Sequence, residues 1–123
     1  MQKVLILGAG LVSKPMIEYL LEHGILITVA SPMKDRAEEM IAGNPRGKAV
    51  DWSMDKPDEL DVMVREHDLT VSLLPYKFHV DVAKCCLKHK KHLVTTSYVQ
   101  SAMQKMDQDV RAAGVIFLNE VGL

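Results

Sequence analysis

The sequence of 123 residues predicts an α/β fold, a doubly wound parallel sheet with strands in the order 3-2-1-4-5-6. Three observations carry this reading. Val4-Leu5-Ile6-Leu7 is an unbroken apolar run, as expected of a strand buried on both faces of a parallel sheet. It ends in Gly8-Ala9-Gly10, a glycine turn that opens a helix-forming stretch. Downstream, short apolar runs alternate with segments whose apolar residues recur every three or four positions. That alternation gives six strands, five helices and right-handed crossovers.

The elements follow in order. A first helix is predicted from Leu11 to His23, with Val12, Met16, Ile17 and Leu20 as its apolar stripe. Pro15 falls in its first turn, and Gly24 ends it as a left-handed cap. Ile25 to Ala30 is the second strand, broken by Ser31-Pro32, and a polar helix runs from Lys34 to Ala42. Gly43-Asn44-Pro45 is a loop and Lys48 to Trp52 the third strand. Asp55 is placed to cap the next helix, which has Pro57 in its first turn, carries Leu60, Met63 and Val64, and ends near His67. Leu69 to Leu74 is the fourth strand, stopped by Pro75. The helix from Phe78 to His89 turns Val82, Ala83, Cys86 and Leu87 inward. His92 to Thr95 is the fifth strand. Ser97 or Ser101 caps a fifth helix carrying Met103, Met106, Val110 and Ala113, and Val115 to Asn119 is the sixth strand.

Composition narrows the class. Hydrophobic residues are 48% and charged residues 25%, ordinary for one soluble globular domain. A net charge of −1 predicts no broad basic field for nucleic acid. No apolar run is long enough to span a bilayer, and no signal peptide precedes Val4, so a cytoplasmic protein is expected. Cys85 and Cys86 are adjacent and read as reduced thiols without catalytic duty. No His/Cys group has zinc spacing in the sequence, and no metal is expected.

A turn of this kind binds dinucleotides in the Rossmann manner. Gly8 takes the tight turn, Gly10 lets a pyrophosphate approach the backbone, and the helix starting at Leu11 and Val12 offers its N–H groups. Ser13 replaces the third glycine of the fingerprint and is small enough to keep helix and strand close. In such a sheet, ligands lie at the carboxyl ends of the strands, where the order reverses. No acid stands at positions 29 to 33, so Ser31 with Lys34 and Arg36 suits a ribose 2′-phosphate, although Ser31-Pro32 also reads simply as a turn. Asp51 either accepts from the adenine amino group or caps a turn. Leu74 and Pro75 lie midway along the cleft. Tyr76 reads as a substrate ligand or an interface tyrosine, and His79 as an acid/base or, more simply, a helix-start residue. Thr95, Thr96, Ser97 and Tyr98 either bind substrate or satisfy the next helix N-terminus. The basic run Lys88 to His92 complements a helix C-terminus.

Four stretches together carry a family resemblance: LGAG followed by Pro15, SLLPYKFH from Ser72 to His79, KKHLVTTSY from Lys90 to Tyr98, and NEVGL from Asn119 to Leu123. From Val4 to Leu123 the sequence resembles the N-terminal domain of the saccharopine dehydrogenase (saccharopine reductase) family. The resemblance implies pyridine-nucleotide-dependent interconversion of saccharopine with glutamate and aminoadipate semialdehyde in lysine metabolism; relatives act on other amino acids, including carboxynorspermidine. It places Gly8, Gly10, Leu11, Val12, Ser31, Leu74 and Thr96 along the cofactor and Tyr76 near substrate. Position after the strands adds Lys34, Asp51 and Pro75 as candidates on the cofactor side and His79, Ser97 and Tyr98 on the substrate side. No residue of this stretch is assigned a catalytic role.

Two departures qualify the resemblance. NADPH-using fungal relatives carry Ser-Arg after strand 2; here Pro32 follows Ser31, and SPMK looks like the SDMK turn of the animal bifunctional enzymes. NADP is favoured over NAD. Family members continue past NEVGL into Asp-Pro-Gly and an α+β substrate domain, so the chain is expected to be a cofactor half, inactive by itself and able to pair with a second copy. The alternative is a non-catalytic nucleotide-sensing Rossmann module. A methyltransferase ranks third, since it would need an acid after strand 2. Gly10→Val should abolish dinucleotide binding in a folded domain, because its side chain fills the pyrophosphate's space. Calorimetry alongside circular dichroism checks this, and unchanged affinity would refute it.

Overall fold

The computed structural model describes residues 2–8, 13–74, 78–95 and 117–118. The strands are β1 (Lys3–Leu7), β2 (Leu26–Ser31), β3 (Gly47–Asp51), β4 (Leu69–Ser72), β5 (His92–Thr95) and β6 (Phe117–Leu118). The helices among the described residues are α1 (Ser13–Glu22), α2 (Lys34–Ile41), α3 (Pro57–Glu66) and α4 (His79–Lys88). All neighbouring strands pair in parallel, in the order β3-β2-β1-β4-β5-β6. The predicted order therefore holds. The fifth helix lies outside the described residues, as do Ser97 and Ser101, its expected caps.

Side chains alternate across a strand, so β1 serves two cores. Val4 and Ile6 join Ile17 and Leu21 of α1 and Ala37, Met40 and Ile41 of α2. Leu5 and Leu7 join Leu60 and Val64 of α3 and Val82, Ala83 and Cys86 of α4. Helices α1 and α2 thus cover one face of the sheet, and α3 and α4 the other.

Several boundaries move for physical reasons. Asp55 is not the cap of α3: Pro57 takes the first helical position, leaving Lys56 as the N-cap without a side-chain bond. The third strand ends at Asp51, because Trp52 leaves it to become fully buried and donates its indole N–H to the Lys56 carbonyl at 2.9 Å. Leu87 is only half-buried, at the margin of the inward stripe of α4. In α1 the deepest apolar residues are Ile17 and Leu21, the latter absent from the expected stripe. The fourth strand closes at Ser72, two residues early.

Helices α1, α2 and α4 end in left-handed residues, whereas α3 ends on an extended His67. Gly24 (φ 75°) closes α1 as the sequence predicts; its N–H bonds the Leu21 carbonyl and that of Ile25 bonds Leu20. The same pair of bonds closes α4, where Lys91 bonds Cys86 and Lys90 bonds Leu87, but a lysine holds the left-handed position at φ 56°. That conformation is strained for a residue with a Cβ, by about 1–2 kcal/mol. Lys90→Gly should relieve it, less the entropy a glycine loses on folding, and raise stability by about 0.5–1 kcal/mol. Urea unfolding checks this, and a lowered midpoint would show that the Lys90 side chain itself holds the turn.

Candidate functional site

The carboxyl ends of the strands converge on the switch point between β2 and β4, with β1 between them. Register brings Leu7 level with Ala30 and Ser72, Ser31 level with Asp51, and Ser72 level with Thr95. Ser31, Ser72 and Thr95 are all buried, so the carboxyl end of the sheet carries a row of hydroxyls. At Gly8 the chain leaves β1 with φ 104°, a conformation that excludes ordinary side chains. The Gly8 N–H donates to the Ala30 carbonyl at 2.9 Å, and Leu73 donates to Leu7 at 2.9 Å, so the turn is anchored from both neighbouring strands.

Ser31 has a definite local role. Its Oγ accepts the Met33 N–H at 3.0 Å, and its carbonyl accepts the Trp52 N–H at 3.1 Å. This bends the chain through Pro32 into α2, as the turn reading of Ser31-Pro32 expected. The turn opens on a cleft of about 700 Å³, lined by Pro32, Met33, Lys34, Arg36, Glu39 and Asp51 among others. Lys34 lies half-exposed on its rim, in a loose 3.8 Å pair with Glu38 one helical turn on. Asp51, exposed at the end of β3, faces it from the adjacent strand. Leu74 packs half-buried against the core beneath α3 and α4.

The structure therefore brings Lys34 and Asp51 to one cleft, with Ser31 buried at the end of β2 beside it and Gly8 at the neighbouring turn. Gly10, Leu11, Val12, Pro75, Tyr76, Thr96, Ser97 and Tyr98 lie outside the described residues. His79 opens α4, and its side chain also lies outside them. An apolar hollow of about 280 Å³ sits at the amino ends of β1, β4 and β5, beside Gln2, Asp68 and His92. That is the wrong end of a doubly wound sheet for its ligand.

Three arrangements escaped the sequence reading. Gly47, at the start of β3, has to be a glycine because a Cβ there would collide with Ile41 Cγ2 in the core. His67 is buried at the end of α3, where its Nδ1 meets the Met63 carbonyl at 2.6 Å and its Nε2 the Thr28 hydroxyl at 2.9 Å. Asp61 receives both Lys88 and His89 across the α3–α4 contact. Hydrogen bonds from His89 first, and then from Lys88, hold the Asp61 carboxyl below its usual range. The i, i+4 spacing of Cys85 and His89 was legible in the sequence; Asp61 becomes their neighbour only through helix packing.

A parallel sheet in the order β3-β2-β1-β4-β5-β6, with helices on both faces and a glycine turn at the carboxyl end of β1, defines a Rossmann-type domain of the kind that binds dinucleotides. The family model for the saccharopine dehydrogenase NADP binding domain matches residues 4–118, and the chain belongs to that family. The NADP named in that description agrees with the sequence expectation. The saccharopine dehydrogenase [NADP(+), L-glutamate-forming] of Pyricularia oryzae is 40% identical over 99% of this chain and 27% of its own length. The enzyme of the same description from Schizosaccharomyces pombe is 41% identical over 100% of this chain and 28% of its own. The mitochondrial alpha-aminoadipic semialdehyde synthase of Bos taurus is 40% identical, with 13% of its length covered. Among solved structures, apo saccharopine dehydrogenase (L-Glu forming) from Saccharomyces cerevisiae superposes with a TM-score of 0.90 at 31% identity, covering all of this chain and 28% of that one. The chain thus spans little more than a quarter of the saccharopine dehydrogenases it matches.

Proposed function

We propose that this chain is the NADP-holding part of an enzyme that makes and breaks the secondary-amine C–N bond of saccharopine. The observation that carries the reading is the family match across residues 4–118, joined to a β2 end whose cleft offers Lys34 and Arg36. NADP, when bound, accepts hydride from the carbon bearing the secondary amine, or returns it to the corresponding imine. The chain's own residues hold and orient that cofactor. The backbone of Gly8, Gly10, Leu11 and Val12 receives the diphosphate. Ser31, through its hydroxyl, and Lys34, through its ammonium, hold the 2′-phosphate. Asp51 accepts from the adenine amino group. Leu74, Pro75 and Thr96 line the run toward the nicotinamide. Tyr76, His79, Ser97 and Tyr98 form the near wall of the substrate pocket, and a further domain, as in the much longer relatives, supplies the far wall.

The β2 end fits NADP better than NAD on chemistry. An NAD site sets a carboxylate there to accept from the ribose 2′-hydroxyl, and that carboxylate would repel a phosphate. Here the last residue of β2 is a neutral serine, and two cations follow within the first turn of α2.

Titrating the chain with each nucleotide should give tighter binding of NADP than of NAD. Lys34→Ala and Arg36→Ala should each weaken NADP about tenfold, or about 1.4 kcal/mol, with little change for NAD. Tighter NAD binding, or equal losses for both nucleotides, would overturn the assignment of the 2′-phosphate. For the reaction, the protein carrying this chain together with its substrate domain should reduce NADP when given saccharopine. Failure on saccharopine with turnover of another amino acid would remove the substrate and leave the cofactor site standing.

A further inference from the structure

We propose that Asp61, Cys85 and His89 form a zinc site that ties α3 to α4. Cys85 lies on α4, and His89 is its C-cap one turn later. Asp61 lies on the neighbouring helix α3. The Asp61 Oδ1 atom is 2.9 Å from His89 Nε2 and 3.8 Å from Cys85 Sγ, and the three ligand atoms lie within 4.8 Å of one another. Zinc bonds of about 2.0–2.3 Å in a tetrahedron place such atoms about 3.3–3.7 Å apart. The carboxylate–imidazole pair must open slightly, and the thiol must close by a few tenths of an ångström on Asp61 and by roughly 1 Å at most on His89, a rotamer-scale adjustment. Thiolate, imidazole and carboxylate together suit zinc, with the fourth position open to water.

An ion pair explains only part of this arrangement. His89 and Lys88 already satisfy Asp61, and the thiol beside the carboxylate adds little to them. Burial, and then the Asp61 charge, push the Cys85 thiol up to about 11, so without metal it keeps its proton. On binding, zinc takes the sulfur and the thiol proton leaves to solvent. Lys88 Nζ, 3.1 Å from the same Asp61 oxygen, competes for that position. Its side chain is 67% exposed, so it returns to water at small cost. Cys86 takes no part: it is fully buried in the core beneath α4. None of the three ligands lines the cleft at β2 and β3, so the site stands or falls independently of the cofactor assignment.

The test uses the full chain, stripped with a chelator and titrated first with Co²⁺ and then with Zn²⁺. One equivalent of Co²⁺ should produce a sulfur-to-cobalt charge-transfer band that Zn²⁺ displaces. Cys85→Ser should remove the band, and His89→Gln should weaken Zn²⁺ at least tenfold. Lys88→Ala should bind at least as tightly as the parent. Circular dichroism establishes that each variant is folded. Should Cys85→Ser not fold, protection of Cys85 from iodoacetamide by Zn²⁺ in the parent chain, read by mass spectrometry, replaces it. No band in the parent, a band that survives Cys85→Ser, or no protection of Cys85 would overturn the site and leave Asp61 an ion-pair clamp.

Discussion

The structure depends on β1 being buried from both sides. Leu5, Ile6 and Leu7 are wholly inaccessible, and β1 hydrogen-bonds to β2 on one edge and β4 on the other. Each large aliphatic side chain buried in this way contributes about 1.5–3 kcal/mol. Because α1 and α2 press on Val4 and Ile6 while α3 and α4 press on Leu5 and Leu7, β1 cannot slide without disturbing both cores. Its carboxyl end is therefore fixed, and so is the place where Gly8 turns the chain. The switch point is the consequence: β2 pairs with β1 on one side and β4 pairs with it on the other, while the cleft lined by Lys34, Arg36 and Asp51 lies at the ends of β2 and β3.

Much of this was legible in the sequence, and the reason is local. The run Val4 to Leu7 reads as doubly buried because no polar residue interrupts it. His92 to Thr95 was bounded correctly by its own apolar pattern, and Gly24 marked its cap through the backbone freedom it alone allows. What failed depends on neighbours distant in sequence. Leu21 lies one residue from the expected stripe, and its burial is decided by the core it meets. Lys90 closes α4 although nothing in its chemistry favours a left-handed turn; the two hydrogen bonds to Cys86 and Leu87 overrule its preference. Asp55 was misplaced as a cap because Pro57 sets the start of α3 more firmly than a side chain can. Lys34 and Asp51, named from their positions after strands, do line one cleft. The trio on α3 and α4 was not named, since it exists only once two helices 24 to 28 residues apart are packed together.

The two ends of α4 show how one helix serves different demands. Its inward face, Val82, Ala83 and Cys86, is small and apolar, which lets it lie close over the sheet. Its outward C-terminal turn gathers Cys85, Lys88 and His89 toward Asp61. The expected role of the basic run, complementing the helix dipole, accounts for the sign of these charges. It does not account for their convergence on one carboxylate oxygen, which requires α3 as well.

The departure at Pro32 is best understood through the turn it belongs to. An arginine at that position, as in the fungal pattern, would carry its charge on the turn itself. Proline carries none, but with the Ser31 Oγ–Met33 N–H bond it directs the chain straight into α2. Lys34 and Arg36 then fall in the first helical turn, on the rim of the cleft. There the helix's own positive end adds to their charge over a short distance. The same rim carries Asp35, Glu39 and Asp51, so cations and carboxylates alternate along it. With a net charge of −1, the overall field of the chain does not draw a polyanionic nucleotide, and any attraction has to be local, of the kind that a helix N-terminus supplies.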